Sequence, residues 1–186
     1  MHIVEHISKK SEGMTCGTAC INYICKCENL SPQDTEYRNI FWIMDLGSCL
    51  IKKGSFSVCL FFKDSRLMND YGENRIPNGE YVKKAIDSFL DLGGTMTEKE
   101  FAIDDVIEYK RKSKWVILNL RSDILFNDLS LKGNNHFVIL ESCEPEISVI
   151  ISPGRTDIFR ISLETDVLMH AMRGNGQWIL FTQEWR

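Results

Sequence analysis

Proline is scarce in this chain, four residues in 186, and no Pro-rich or low-complexity tract separates one part from another. With no linker and no internal repeat, the expectation is a single domain over residues 1–186, long enough for a full hydrophobic core. No apolar run approaches the roughly 18–20 residues of a transmembrane helix. The N-terminus (His2, Glu5, His6, Lys9, Lys10) lacks the charged-then-apolar layout of a signal peptide. A cytoplasmic protein with no membrane partner is therefore expected, although secretion without a cleaved signal would look the same. Positive charge is not in excess either: the net charge is -4, which argues against general nucleic-acid or membrane-surface binding. The one basic cluster, Lys110-Arg111-Lys112 with Lys114, lies beside Asp104, Asp105 and Glu108 and reads as a solvated helix end. No glycine loop suited to phosphate is present, because Gly93-Gly94 reads as a helix terminator and Gly174-Asn175-Gly176 as a turn. No cofactor is implied.

Cysteine is not scarce. There are seven, an odd number, and without an export signal they read as reduced thiols rather than a disulfide framework. Cys16, Cys20, Cys25 and Cys27 contain no pair of Cys-x-x-Cys hooks and no histidine at finger spacing, so no metal site is assigned. Cys20, Cys49 and Cys59 read as small core residues.

Periodicity predicts a helix from about Thr15 to Cys27, closed by the turn-prone Asn29-Leu30-Ser31-Pro32. A second helix is expected from an Asp34 cap to about Lys53, with Gly54 as its stop. A strand at Phe56–Phe62 follows, then a polar excursion from Lys63 to Gly79. Helices are predicted before Gly93-Gly94 and over Ile103 to Lys112. Strands are predicted at Trp115–Leu120, His136–Leu140, Ile147–Ile151 and Trp178–Phe181. Between them lie a loop from Phe126 to Gly133 and a short helix over Leu163 to Met172. The class is α+β, with the helices early and most strands late.

The most informative stretch is Gly13-Met14-Thr15-Cys16-Gly17-Thr18-Ala19-Cys20. It sets Cys16 after a glycine turn and at the start of an apolar helical run. Unpaired backbone N–H groups and the helix dipole favour negative charge there. Such a thiol falls below its free pKa of about 8.5 and becomes nucleophilic. Gly13 and Gly17 on either side count against a merely structural, buried thiol, and Gly17 leaves room for a substrate backbone. Far downstream, Asn134-Asn135-His136-Phe137-Val138-Ile139-Leu140 opens a strand with His136, the one histidine in a clean strand pattern. His136 would take the thiol proton and later donate it to a leaving group. His2 and His6 read as terminal and flexible, and His170 as a helix-face residue.

Cysteine first and histidine late is the order of papain-like thiol enzymes. Thr15-Cys16-Gly17-Thr18-Ala19-Cys20, His136-Phe137-Val138-Ile139 and Ser152-Pro153 together resemble the papain-like peptidase domains that cleave double-glycine leader peptides. A closer resemblance is to the guanylyl-cyclase-domain-containing protein family, through Phe41-Trp42-Ile43-Met44-Asp45-Leu46 and the ending near Trp178–Phe181. It spans most of the chain, with Lys63–Gly79 and Ser122–Asn134 least matched. A papain-like fold is implied, but not cyclase activity, since nothing resembles a paired-carboxylate metal site. In papain-like domains an Asp or Asn commonly opens the strand after the histidine strand and orients the imidazole. Here Ser152 stands in that slot, with Asp157, Glu141 and Asn135 as fallbacks. The family's side-chain oxyanion donor lies a few residues upstream of the cysteine, where this chain has Lys10 and Ser11 and no glutamine.

The sequence reading is thus a cysteine hydrolase or acyltransferase, with Cys16, His136 and Ser152 as catalytic residues. Lys10, Ser11, Gly17 and Asn135 line the oxyanion and substrate positions. The expected partner is a peptide, protein or acyl-carrier substrate, and oligomeric state stays open. Two alternatives remain: a catalytically inactive binding module on the same scaffold, and a regulatory thiol or metal switch.

Overall fold

Val116 to Leu120 form a near-continuous apolar run, and every residue in it is buried. Such a strand needs cover on both faces of its sheet. The computed structural model describes residues 3–9, 14–31, 43–53, 56–63, 79–153, 157–174 and 176–184. Its eight strands are β1 (Ile3–Lys9), β2 (Phe56–Phe62), β3 (Thr95–Glu98), β4 (Val116–Arg121), β5 (Asn135–Cys143), β6 (Ile147–Pro153), β7 (Asp157–Glu164) and β8 (Ile179–Glu184). They form one sheet in the order β1-β7-β6-β5-β4-β8-β2-β3. Every pairing is antiparallel except β2 with β3.

The six described helices are α1 (Cys16–Cys27), α2 (Ile43–Lys53), α3 (Gly79–Asp91), α4 (Ile103–Lys112), α5 (Ser122–Phe126) and α6 (Thr165–Arg173). Strand alternation divides the core between two faces. Ile117, Phe137, Ile139, Ile151 and Leu180 meet α1, α2 and α3 on one. Val116, Leu118, Val138, Leu140, Ile150 and Phe181 meet α4, α5 and α6 on the other. The class is α+β, as expected. No described helix is long and apolar enough to cross a membrane.

Several boundaries differ from the sequence reading. Leu163 does not begin a helix: β7 runs to Glu164 because Leu163 and Glu164 pair with Ser148 and Ile147, and α6 starts only at Thr165. His6 is not a loose terminal residue. It lies in β1, which pairs with β7, and its Nε2 meets Asp157 Oδ1 at 3.0 Å. His2 lies outside the described residues. The stretch expected as a loop from Phe126 begins with the last residue of α5 and holds a 3-10 turn at Leu129–Leu131. The short β3 had no clear pattern; it pairs in parallel with Cys59–Phe62 of β2. Of the Asp34–Lys53 helix, residues 43–53 are helical and 34–42 lie outside the described residues, as do 64–78 of the polar excursion.

Two local devices seat α1. Thr15 is its N-cap, in extended conformation, with Oγ1 accepting from Thr18 N–H at 3.3 Å. At the other end Glu28 accepts from the indole Nε1–H of Trp115 and from Lys114 Nζ, both at 2.7 Å. The basic cluster is a helix end: Lys112 pairs with Glu108 and Arg111 with Glu144, while Lys110 donates to Ser113 O.

Candidate active site

The β5–β6 register begins only at Ile139↔Ile151, while β6–β7 pairing continues to Pro153↔Ile158. The two central strands therefore part at the end where Phe137 and Ser152 lie. Asn119, opposite Phe137, sends its N–H the other way, to Trp178 O at 3.2 Å. In an antiparallel ladder this makes Asn119–Phe137 a non-hydrogen-bonded pair, so the Phe137 N–H and C=O point into the gap beside β6. The first turns of α1 occupy that gap. Phe137 N–H donates to Cys16 Sγ at 3.5 Å, and Cys20 S–H donates to Phe137 O at 3.5 Å. Two thiols one helical turn apart satisfy the backbone groups that the parting strands leave unpaired.

An amide N–H aimed at sulfur favours the thiolate, as does the N-terminus of α1. Cys16 is half-buried. Burial pushes the thiols of Cys25 and Cys143 upward, against the opposing influence of Lys53 at the first and of Ser148 at the second. Cys20 and Cys49 are buried as expected, whereas Cys59 is only partly so.

His136 precedes Phe137, so the residue carrying the imidazole adjoins the one whose amide touches Cys16. Its Nε2 lies 3.0 Å from Ser152 Oγ. Ser152 is 1% exposed, within the stretch of β6 that has left β5 but still pairs with β7. The fallback acceptors are engaged elsewhere. Asp157 meets His6, and Glu141 holds the Arg160 guanidinium with bonds of 2.7 and 2.6 Å. Gly17 is buried in the first turn of α1, and Asn135 is half-buried before His136, in register with Arg121. Lys10 and Ser11 lie outside the described residues.

Comparison with family models, with curated proteins and with solved structures finds no match. The functional reading therefore rests on this chain's own residues.

Three sets of contacts around Cys16 and His136 were not read from the sequence. Phe137 acts through its backbone, which no residue pattern reports. Phe126, the last residue of α5, brings its ring within 5.6 Å of the His136 ring. The Thr15–Thr18 pair, joined also by their hydroxyls at 3.1 Å, fixes the turn that carries Cys16; a threonine just before a helical run was the available signal. Asn119 is a further oddity, buried beside Phe137 with no hydrogen-bond partner for Oδ1 among the described residues. No three described His, Cys, Asp or Glu side chains cluster as metal ligands would.

Proposed function

We propose that this chain is a papain-like thiol enzyme in which Cys16 attacks an amide or acyl carbonyl and His136 manages the proton. The observation that carries the reading is the pair of contacts at the split between β5 and β6. The Phe137 amide holds Cys16 Sγ, and Ser152 holds Nε2 of the adjacent His136. With Nε2–H donating to Ser152, Nδ1 is the basic nitrogen, suited to receive the thiol proton. The thiolate then forms a sulfur–carbon bond as the carbonyl π electrons move to oxygen, where the Cys16 backbone N–H at the helix start is the natural donor. Collapse breaks the bond to the leaving amine or alcohol, which takes the proton from His136. Water or an amine then attacks the thioester, gives its proton to His136 and restores the thiolate. Peptide cleavage, deamidation and acyl or peptidyl transfer all share this first half. The substrate is a peptide, a protein or an acylated carrier.

Ser152 accepts a hydrogen bond but carries no charge, so it orients the imidazole without stabilising imidazolium as a carboxylate would. The ion pair must then rely on α1 and the Phe137 amide. The test is a thiolate titration by ultraviolet absorbance, taken as wild type minus Cys16→Ser, repeated in His136→Ala. A Cys16 transition well below the free-thiol range that moves upward without the imidazole supports the reading. A transition in the free-thiol range, unchanged by His136→Ala, contradicts it.

A further inference from the structure

Cys16 and Cys20 stand one turn apart on α1 and meet the same residue of β5. In an extended strand the N–H and C=O of one residue point the same way. Phe137 therefore sets the two sulfurs side by side, Cys16 Sγ 3.5 Å from its N and Cys20 Sγ 3.5 Å from its O. The two bonds run in opposite senses. Phe137 N–H donates to the Cys16 sulfur, which favours the thiolate, whereas Cys20 S–H donates to Phe137 O, which keeps that thiol protonated. Exposure differs as well: Cys16 is half-buried and Cys20 is 1% exposed. A small solute thus meets the Cys16 sulfur first, with the Cys20 thiol behind it. Residues four apart in a helix have Cα atoms about 6 Å apart, within the roughly 4.4–6.8 Å that a disulfide spans. The other two thiols of α1, Cys25 and Cys27, lie about 13–17 Å along the axis from Cys16, beyond that range.

We infer that Cys16 and Cys20 form a reversible redox pair, in which a hydroperoxide oxidises Cys16 and Cys20 resolves it as a disulfide. With hydrogen peroxide, the Cys16 thiolate attacks one oxygen and a sulfur–oxygen bond forms as the O–O bond breaks. Hydroxide leaves and takes up a proton to become water. The Cys20 sulfur then attacks the sulfenic sulfur, the S–S bond forms, and the sulfenic oxygen leaves as water with the Cys20 proton. The two thiols together lose two electrons, and one peroxide is reduced to two waters. The bond draws the two Cβ atoms from about 5–6 Å to about 4 Å, and Cys16, as the first residue of α1, lies where the helix end can tighten. It also withdraws both sulfurs from the Phe137 N–H and C=O. A disulfide that gives up those contacts is readily reduced, as a switch requires. The chemistry asks nothing of His136 and so stands apart from the thiol-enzyme reading. On that reading it also turns the nucleophile off and protects it from irreversible oxidation.

The test treats the full chain with hydrogen peroxide and maps Cys16 by mass spectrometry before and after dithiothreitol. The expected product is a link between Cys16 and Cys20 with loss of two hydrogens. Labelling of Cys16 by iodoacetamide is lost with it, and reduction restores both thiols and the labelling. Cys20→Ala should instead carry Cys16 through a sulfenic acid, trapped by dimedone, to a sulfinic acid that dithiothreitol does not restore. The wild-type link is read directly and does not depend on how well that variant folds. The same link is expected in His136→Ala. A Cys16 that joins Cys20 but shows no imidazole-dependent reactivity contradicts the enzyme reading alone. Sulfinic acid at Cys16 in the wild type without the link, a link to any other cysteine, or a Cys16 left unoxidised overturns the redox pair.

Discussion

Ser152 Oγ lies 3.0 Å from His136 Nε2, on a residue with 1% of its surface exposed. The contact sets a hydroxyl, able to donate or accept, against one ring nitrogen of the imidazole. Ser152→Ala is expected to lower the rate of Cys16 alkylation near pH 7 about tenfold, the worth of one such hydrogen bond. Ser152→Asp adds a charge beside the ring, so the alkaline limb of the pH–rate profile should move upward. An unchanged profile in both variants would show that Ser152 does not orient His136.

Thr15 caps the helix that carries the thiol, through its bond from Thr18 N–H at 3.3 Å. Thr15→Ala should cost about 1 kcal/mol in chemical denaturation. It should also slow Cys16 alkylation by loosening the first turn, while Thr15→Ser restores both. Loss of stability with full reactivity would confine Thr15 to a structural role.

How far the sequence reveals this arrangement depends on the range of the interaction that sets each part. Cys16 and the span of α1 were legible because a glycine pair and a helical apolar face are local signals. β4 and β5 were legible because dense Val, Ile and Leu leave few alternatives. β1 was missed because Ile3, Val4, Glu5 and His6 are all exposed, so their strand is set by pairing with β7 rather than by burial. The end of β7 was missed for a related reason. Leu163 suits a helix locally, and its partnership with Ser148 decides otherwise. Ser152 was legible by position alone. The contacts of the Phe137 backbone with Cys16 and Cys20 arise where two strands part and a helix fills the gap, an event with no local signature.

Glu28 links the end of α1 to the start of β4 by accepting from Trp115 Nε1–H and Lys114 Nζ at 2.7 Å. Glu28→Ala leaves the partly buried indole N–H without its acceptor, at a cost of about 1–3 kcal/mol. The measurement is denaturant unfolding followed by tryptophan fluorescence. Glu28→Gln, which keeps an acceptor, should recover at least half of the loss. Equal losses in the two variants would make the charge, rather than the hydrogen bond, the linking element.

Asp123 holds the Arg121 guanidinium, with Arg121 Nε–H on Oδ1 at 2.9 Å, directly across from Asn135 on β5. The Arg121 hydrogen bonds hold its carboxyl below the ordinary aspartate range, with burial opposing. A pKa lowered on folding contributes stability that is complete above the unfolded value, about 3.9, and is lost as pH falls through the folded value. Asp123→Asn should therefore lower Tm at neutral pH, and the gap to wild type should shrink as pH falls below that range. A gap independent of pH would contradict the linkage.

The most direct measurement is the pH dependence of Cys16 alkylation by iodoacetamide, with the modified residue located by mass spectrometry and His136→Ala in parallel. The expected result is rapid labelling well below pH 8 that weakens when the imidazole is removed, the mark of a thiolate paired with His136. Slow labelling that rises only near the free-thiol pKa of about 8.5, and is unaffected by His136→Ala, would contradict the enzyme reading and point to a binding module on this sheet.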